Sequence, residues 1–206
     1  MIPGPQAAQT QLTSTTRDTM RGFSLIELMV TIAVAAILLG IAAPSFQDLV
    51  IRNRLATNAN QLVTALNLAR SEAIKRGTTV SVCKSANGSS CGGSGVNWES
   101  GWIVFVNSDD DSPAVVDPGE PILRVFPGIA AGYTLRPNTN FTNFLTYRAD
   151  GTSNQWGRFV LCHNNTLNGS RAIFINSMGR PRLAGDSNSN GIPEDESGTD
   201  ITTCTP

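Results

Sequence analysis

An α+β architecture, one long N-terminal helix followed by an antiparallel β-sheet, is predicted by three features of the 206 residues. An apolar run extends from Phe23 to Ala43 with Glu27 as its single charge; apolar residues at helical spacing continue beyond Pro44; short β-branched and aromatic runs separated by turn residues occupy the chain from Thr78 onward. A helix and a sheet that are each apolar on one face bury those faces against each other. After subtraction of the apolar run, enough chain remains for one globular domain with its own core.

Residues 1–22 are polar, rich in Thr and Gln, and contain Pro3 and Pro5 but no apolar centre, so they are expected to be a disordered leader, with Met1 and Met20 both suited to be its first residue. Residues 23–43 are long enough to cross the hydrocarbon core as a helix. Arg17 and Arg21 lie on the leader side, which keeps the leader in the cytoplasm and sends the bulk of the chain to the periplasm. A carboxylate in such a segment costs roughly 2.5–3.5 kcal/mol on insertion scales, so Glu27 calls for a partner. Cleavage between Gly22 and Phe23 would create one, because the new Phe23 amine is a cation that Glu27 of a neighbouring subunit can neutralise. Two weaker alternatives are a Glu27 at headgroup level favoured by the helix dipole and an ordinary secretory signal cut near Gly40-Ile41-Ala42-Ala43.

In residues 44–77, Ala59, Leu62, Val63, Leu66, Ala69 and Ala73 recur at helical spacing among polar residues. Pro44 is expected to bend or loosen this helix, and Gly77 to end it, with Lys75 and Arg76 complementing the dipole in the last turn. The expected strands of a domain over residues 78–183 are Thr78–Lys84, Trp102–Val106, Ile122–Phe126, Tyr133–Arg136, Phe144–Arg148, Phe159–Cys162 and Ala172–Ile175. Asn87–Gly95, Asp109–Gly119 and Asn164–Gly169 read as loops, and residues 184–206 as a polar tail.

Gly22-Phe23-Ser24-Leu25-Ile26-Glu27 resembles the class III signal of type IV pilins and type II secretion pseudopilins. The resemblance implies cleavage after Gly22 by a prepilin peptidase, N-methylation of Phe23, and docking of Glu27 into a helical filament. Ala69-Arg70-Ser71-Glu72-Ala73-Ile74-Lys75-Arg76, Val80-Ser81-Val82-Cys83, Trp98, Gly101-Trp102-Ile103-Val104-Phe105 and Ile175-Asn176-Ser177-Met178-Gly179-Arg180 are similar to the GspH/FimT group. That likeness implies the pilin fold and a minor subunit at or near a filament tip. It would be held in the inner membrane by a single pass, have other pilins or pseudopilins as partners, and help to initiate assembly.

Four cysteines allow three pairings; Cys83 with Cys91 and Cys162 with Cys204 is the favoured one, the second tethering the tail. Asp186, Asn188 and Asn190 followed by Gly191 resemble the front half of a calcium loop, but the bidentate Glu that would close it is missing at Ser197, and a solvated acidic turn explains the pattern as well. No other cofactor is suggested. Gly179-Arg180-Pro181-Arg182, with Arg171 on the preceding strand, resembles the Gly-Arg-x-Arg element of DNA-binding minor pilins, which would give Arg180 and Arg182 phosphate contacts. Beyond Gly77, eight cationic residues face twelve acidic ones, so the acidic tail is a competing partner for these arginines. No enzyme is expected: His163 is the lone histidine, and its neighbour Cys162 would point to the opposite face of a strand. Phosphate-binding glycine loops and serine elbows are absent from the sequence.

Overall fold

The computed structural model describes residues 22–153 and 155–206. The expected leader, residues 1–22, lies outside the described residues apart from Gly22. The chain separates into two compact units that meet between Ser45 and Phe46, the second being Phe46–Pro206.

A single helix, α1, runs from Leu25 to Arg76. Ser24 caps it, its Oγ accepting the Glu27 N–H at 3.2 Å. The first part of α1 is long and apolar enough to cross a membrane, and its side chains are exposed in the isolated chain. In the second unit the helix becomes one-sided: Leu55, Ala59, Leu62, Leu66, Ala69 and Ala73 are fully buried, at the three- and four-residue intervals of one helical face. The last turn is fixed by Glu72, which pairs with Arg76 at 2.6 Å and Lys75 at 3.5 Å. Gly77, at φ +64°, ends the helix, and the N–H groups of Gly77 and Thr78 both return to the Ala73 carbonyl.

Eight strands follow: β1 Val80–Lys84, β2 Gly101–Val106, β3 Ile122–Pro127, β4 Tyr133–Pro137, β5 Phe144–Tyr147, β6 Gly157–His163, β7 Thr166–Ile175 and β8 Pro181–Leu183. They form two antiparallel four-stranded sheets, ordered β3-β2-β1-β5 and β4-β6-β7-β8, where the sequence suggested one. The main core unites the apolar face of α1 with the inner faces of both sheets, including Val80, Val82, Trp102, Leu145, Phe159, Leu161 and Ile173. Trp98 sits within it, its indole N–H donating to the Phe141 carbonyl at 3.0 Å and its ring edge-on to Phe159.

Each sheet also has a covered outer face. On the first, Cys83, Ile103, Phe105 and Ala114 form a separate cluster, which is why β1 is buried along its whole length instead of alternating. On the second, the tail residues Ile201 and Cys204 pack over Val160, Cys162, Ala172 and Phe174. One sequence expectation is corrected here, and one strand is added. The loop foreseen at Asn164–Gly169 shrinks to Asn164-Asn165, both at positive φ as a tight hairpin turn requires, and Thr166 already belongs to β7. The segment containing Arg182, which the strands expected from the sequence did not include, is an edge strand, β8, whose Pro181 lies at its first residue; it is extended, as a shared side for Arg180 and Arg182 requires.

Candidate assembly contact and cationic face

Phe23 and Glu27 lie at the exposed start of α1, beside Gly22. Ser24 and Glu27 have the spacing of a capping box, in which the Glu side chain would return to the cap's own N–H. Only the Ser24 half is made: the Glu27 carboxylate has no hydrogen-bond or ion-pair partner among the described residues. The site therefore presents an unneutralised acid four residues after the Phe whose amine a cut at Gly22 would expose.

Both expected disulfides are present. Cys83–Cys91 closes a short loop off β1, and Cys162–Cys204, whose ends are 42 positions apart in sequence, fastens the tail to β6. Cys162 is thereby removed from thiol chemistry, and the His163 ring lies against Tyr133, with centroids 4.7 Å apart.

The cationic residues divide by sheet face. Directly opposed residues share a face, and the register places Arg158, Phe174 and Arg182 in one row across β6, β7 and β8 on the outer face. The Arg182 guanidinium stands 5.7 Å from the centre of the Phe174 ring. Arg171 instead opposes Leu161, a residue of the main core, and so lies on the other face. The sequence grouped Arg171 with Arg180 and Arg182 by proximity in the chain, but the three-residue step from Arg171 to Phe174 reverses the side. Arg180 is exposed just before β8, its backbone N–H bonded to Asn176 Oδ1 at 3.1 Å. The side chains of Arg158, Arg180 and Arg182 have no ion pair among the described residues, in contrast to Arg136, which is 2.6 Å from Glu99.

Gly179 fixes where this cationic segment begins. It is buried at φ +72°, and a Cβ there would meet the Tyr147 ring at 2.9 Å and the Gly151 carbonyl oxygen more closely still. That same carbonyl accepts Arg70 Nε from α1 at 2.9 Å. Burial pushes the Tyr147 hydroxyl well above the usual tyrosine range. Arg70 and Gly179, far apart in sequence, thus meet on one carbonyl.

In the tail, Asp186 accepts the N–H groups of Asn190 and Gly191, at 3.1 and 2.8 Å, and the Asn190 side-chain oxygen accepts from Ile192. The side-chain amides of Asn188 and Asn190 donate to Asp200. The oxygens read as calcium ligands thus serve as acceptors for their own loop. Asp195 is held below the usual carboxylate range, chiefly by the Ser197 hydroxyl and then by the Thr199 backbone. In the loop between β2 and β3, Asp109 gathers with Asp117 and Glu120, and Asp117 is raised by burial and then by its acidic neighbours.

Trp156, which the sequence did not single out, is 65% exposed beside the Arg158–Phe174 row. Its signal would have been its isolation between polar residues and Gly157, outside every apolar run.

A lipid-length apolar helix carrying a lone carboxylate at its start, continued by an amphipathic half buried in a β domain, defines a membrane-anchored filament subunit of the pilin type. The family model described as type II transport protein GspH matches residues 58–179, and that of the prokaryotic N-terminal methylation motif matches residues 17–43. The chain belongs to the GspH family of minor pilins and pseudopilins. A fimbrial protein of Pseudomonas aeruginosa is 42% identical over 60 residues, covering 29% of this chain and 38% of that one. The pilin-like protein PilA1 of Thermus thermophilus is 34% identical over 104 residues, covering 50% and 56%. The matched regions thus span between 38% and 56% of these relatives' lengths. Crystal structures of the type IV minor pilin FimU of P. aeruginosa share the fold, with a TM-score of 0.52 at 24% identity over 74% of this chain and 96% of that one, and in a second crystal form 0.50 at 22% over 73% and 99%.

Proposed function

We propose that this chain is a minor subunit that helps to initiate or cap the filament of a type II secretion pseudopilus or a type IV pilus. A prepilin peptidase cleaves it after Gly22, Phe23 is N-methylated, and Glu27 is the assembly contact. The observation that carries this reading is the unpartnered Glu27 carboxylate at the start of a membrane-length helix. A buried charge is stable when paired and costly alone. The Phe23 ammonium of one subunit and Glu27 of another solve each other's problem, so lateral assembly is favoured over a dispersed helix. The two disulfides support a periplasmic location for the domain, since such bonds persist in oxidising compartments. The inner membrane, the peptidase and the neighbouring pilins are the partners this mechanism requires.

Replacing Glu27 with Ala in the native host, with the protein then followed in sheared filaments and in membranes, tests the mechanism. Membrane insertion persists or improves, because a charge has been removed, whereas recovery in filaments falls sharply. Recovery equal to that of the unmodified protein would refute it.

A second reading adds DNA capture at the outer face of the second sheet. It is favoured by the unpaired guanidinium groups of Arg180 and Arg182, the latter on an aromatic ring. Two phosphate contacts give weak, salt-sensitive binding. Replacing Arg180 and Arg182 together with Gln abolishes retention of DNA in a gel shift and leaves filament assembly intact. Loss of assembly in that variant would count against a separable DNA site.

A further inference from the structure

The outer face of the second sheet holds a groove of about 640 Å³, lined by Phe174, Trp156 and Arg158 and by an acidic wall of tail residues that includes Asp195, Glu196 and Pro206, with Arg182 beside it over the Phe174 ring. Building on the DNA-capture reading, we infer that this groove takes unpaired nucleotides of a single strand, with Trp156 stacking on a base and Arg158 and Arg182 holding phosphates on either side.

Three observations carry this. The first is the cation–aromatic–cation row: Arg158, Phe174 and Arg182 lie on successive strands of one face. Their backbones are spaced by about 4.8 Å per strand, so the two guanidinium groups reach phosphates on different nucleotides. Neither is neutralised by a carboxylate within ion-pair distance among the described residues.

The second is Trp156. An indole this exposed leaves apolar area in water that a stacked base would cover, and its place is fixed: the Trp156 carbonyl accepts Asn140 Nδ2 at 2.6 Å, and Asn138 Oδ1 accepts the Arg158 N–H at 3.3 Å. Aromatic platforms beside a cationic track are how proteins hold single strands, whose bases have a free π-face; in a duplex those faces are stacked on each other.

The third concerns the acidic wall. Asp195 faces Arg158, but its Oδ1 accepts bonds from the Ser197 backbone, the Ser197 hydroxyl and the Thr199 backbone at 2.9, 2.6 and 3.0 Å. Those bonds hold the carboxylate in its own turn and outside ion-pair distance of Arg158, although its charge is still felt there. Asp195 and Glu196 together set a limit on affinity, favouring a ligand whose bases face the tail and whose phosphates face the sheet.

The chain has three tryptophans, of which Trp98 and Trp102 are 1% and 0% exposed, so a stacked base quenches only the Trp156 share of the intrinsic fluorescence of the full chain in detergent. The probes are a short oligodeoxythymidine strand and a blunt hairpin duplex with no unpaired overhang, titrated at low salt. The thymidine strand quenches the fluorescence and binds more tightly than the duplex, and Trp156→Ala weakens it about tenfold while Trp156→Phe retains most of the affinity. Near-UV circular dichroism of each variant verifies the fold, which an exposed side chain should not disturb. Equal binding of both probes, unquenched and unchanged in Trp156→Ala but lost on replacing Arg180 and Arg182, would overturn the stacking groove and leave the arginine site standing. No binding of either probe by the folded protein would overturn both. Loss of filament partners in Trp156→Ala with DNA binding unaltered would assign the groove to a protein and overturn the inference.

Discussion

Gly179→Ala is the substitution whose consequence can be followed furthest. Gly179 occupies the left-handed region at φ +72°, where a side chain costs about 1–2 kcal/mol. The added methyl would also lie 2.9 Å from the Tyr147 ring and inside contact distance of the Gly151 carbonyl oxygen. Neither can retreat freely: Tyr147 is fully buried, and the Gly151 carbonyl is tied to Arg70 of α1. Overpacking of that kind adds about 1–3 kcal/mol. The two terms together give about 3 kcal/mol, which for a domain of this size corresponds to about 6–12 °C in melting temperature. Thermal unfolding followed by near-UV circular dichroism measures it, with Gly185→Ala as the control, since a methyl at Gly185 meets nothing within 4 Å. A Gly179→Ala melting temperature within about 1 °C of the unmodified protein would refute the claim that this contact fixes the segment entering β8.

The two disulfides should contribute unequally: opening the Cys162–Cys204 bridge by replacing both residues with Ser costs about 4 kcal/mol and opening Cys83–Cys91 about 2.5 kcal/mol on loop-entropy grounds, a difference that denaturant midpoints will show. Asp195 is held below the usual aspartate value by the Ser197 hydroxyl, so its contribution is fully present above that ordinary value and disappears as pH falls through the lower, folded-state value. Hydrogen exchange of the Ser197 and Thr199 amides should accelerate in that acidic window relative to the pH trend of the core amides, and Asp195→Asn should remove the additional pH dependence. Trp98→Phe removes the indole N–H that satisfies the Phe141 carbonyl and leaves a void beside Phe159, and should lower stability by about 2–4 kcal/mol in the same denaturant experiment.

The parts of the fold legible in the sequence were those governed by local periodicity. The apolar run and the Leu62, Leu66, Ala69 and Ala73 face marked α1 because a helix face recurs every three or four residues, and Gly77 marked its end. Seven of the eight strands were recognisable as apolar runs, but β8 was not, because Pro181-Arg182-Leu183 has neither alternation nor β-branched residues and owes its state to pairing with β7. The division into two sheets was equally hidden, since it depends on which strands pair at long range. The same limit applied at the cationic face. Arg180 and Arg182 were visible as a short motif, whereas Arg158 joins them only through register, Trp156 only by its place just before β6, and Arg171 leaves the group through register. The disulfide pairing could be favoured among the three possible ones because Cys83 and Cys91 are close enough in sequence to close a short loop, leaving Cys162 and Cys204 to tether the tail. The Arg70–Gly151–Gly179 contact was not, because it joins three segments through a single carbonyl oxygen.

The central claim, that this is a processed filament subunit held by its N-terminal helix, is tested most directly by the mass of the N-terminal peptide of the protein recovered from its native membrane. The account predicts a chain that begins at Phe23 and carries one methyl group on its amine. A chain that retains the residues before Gly22, or one that begins after Ala43, would contradict it.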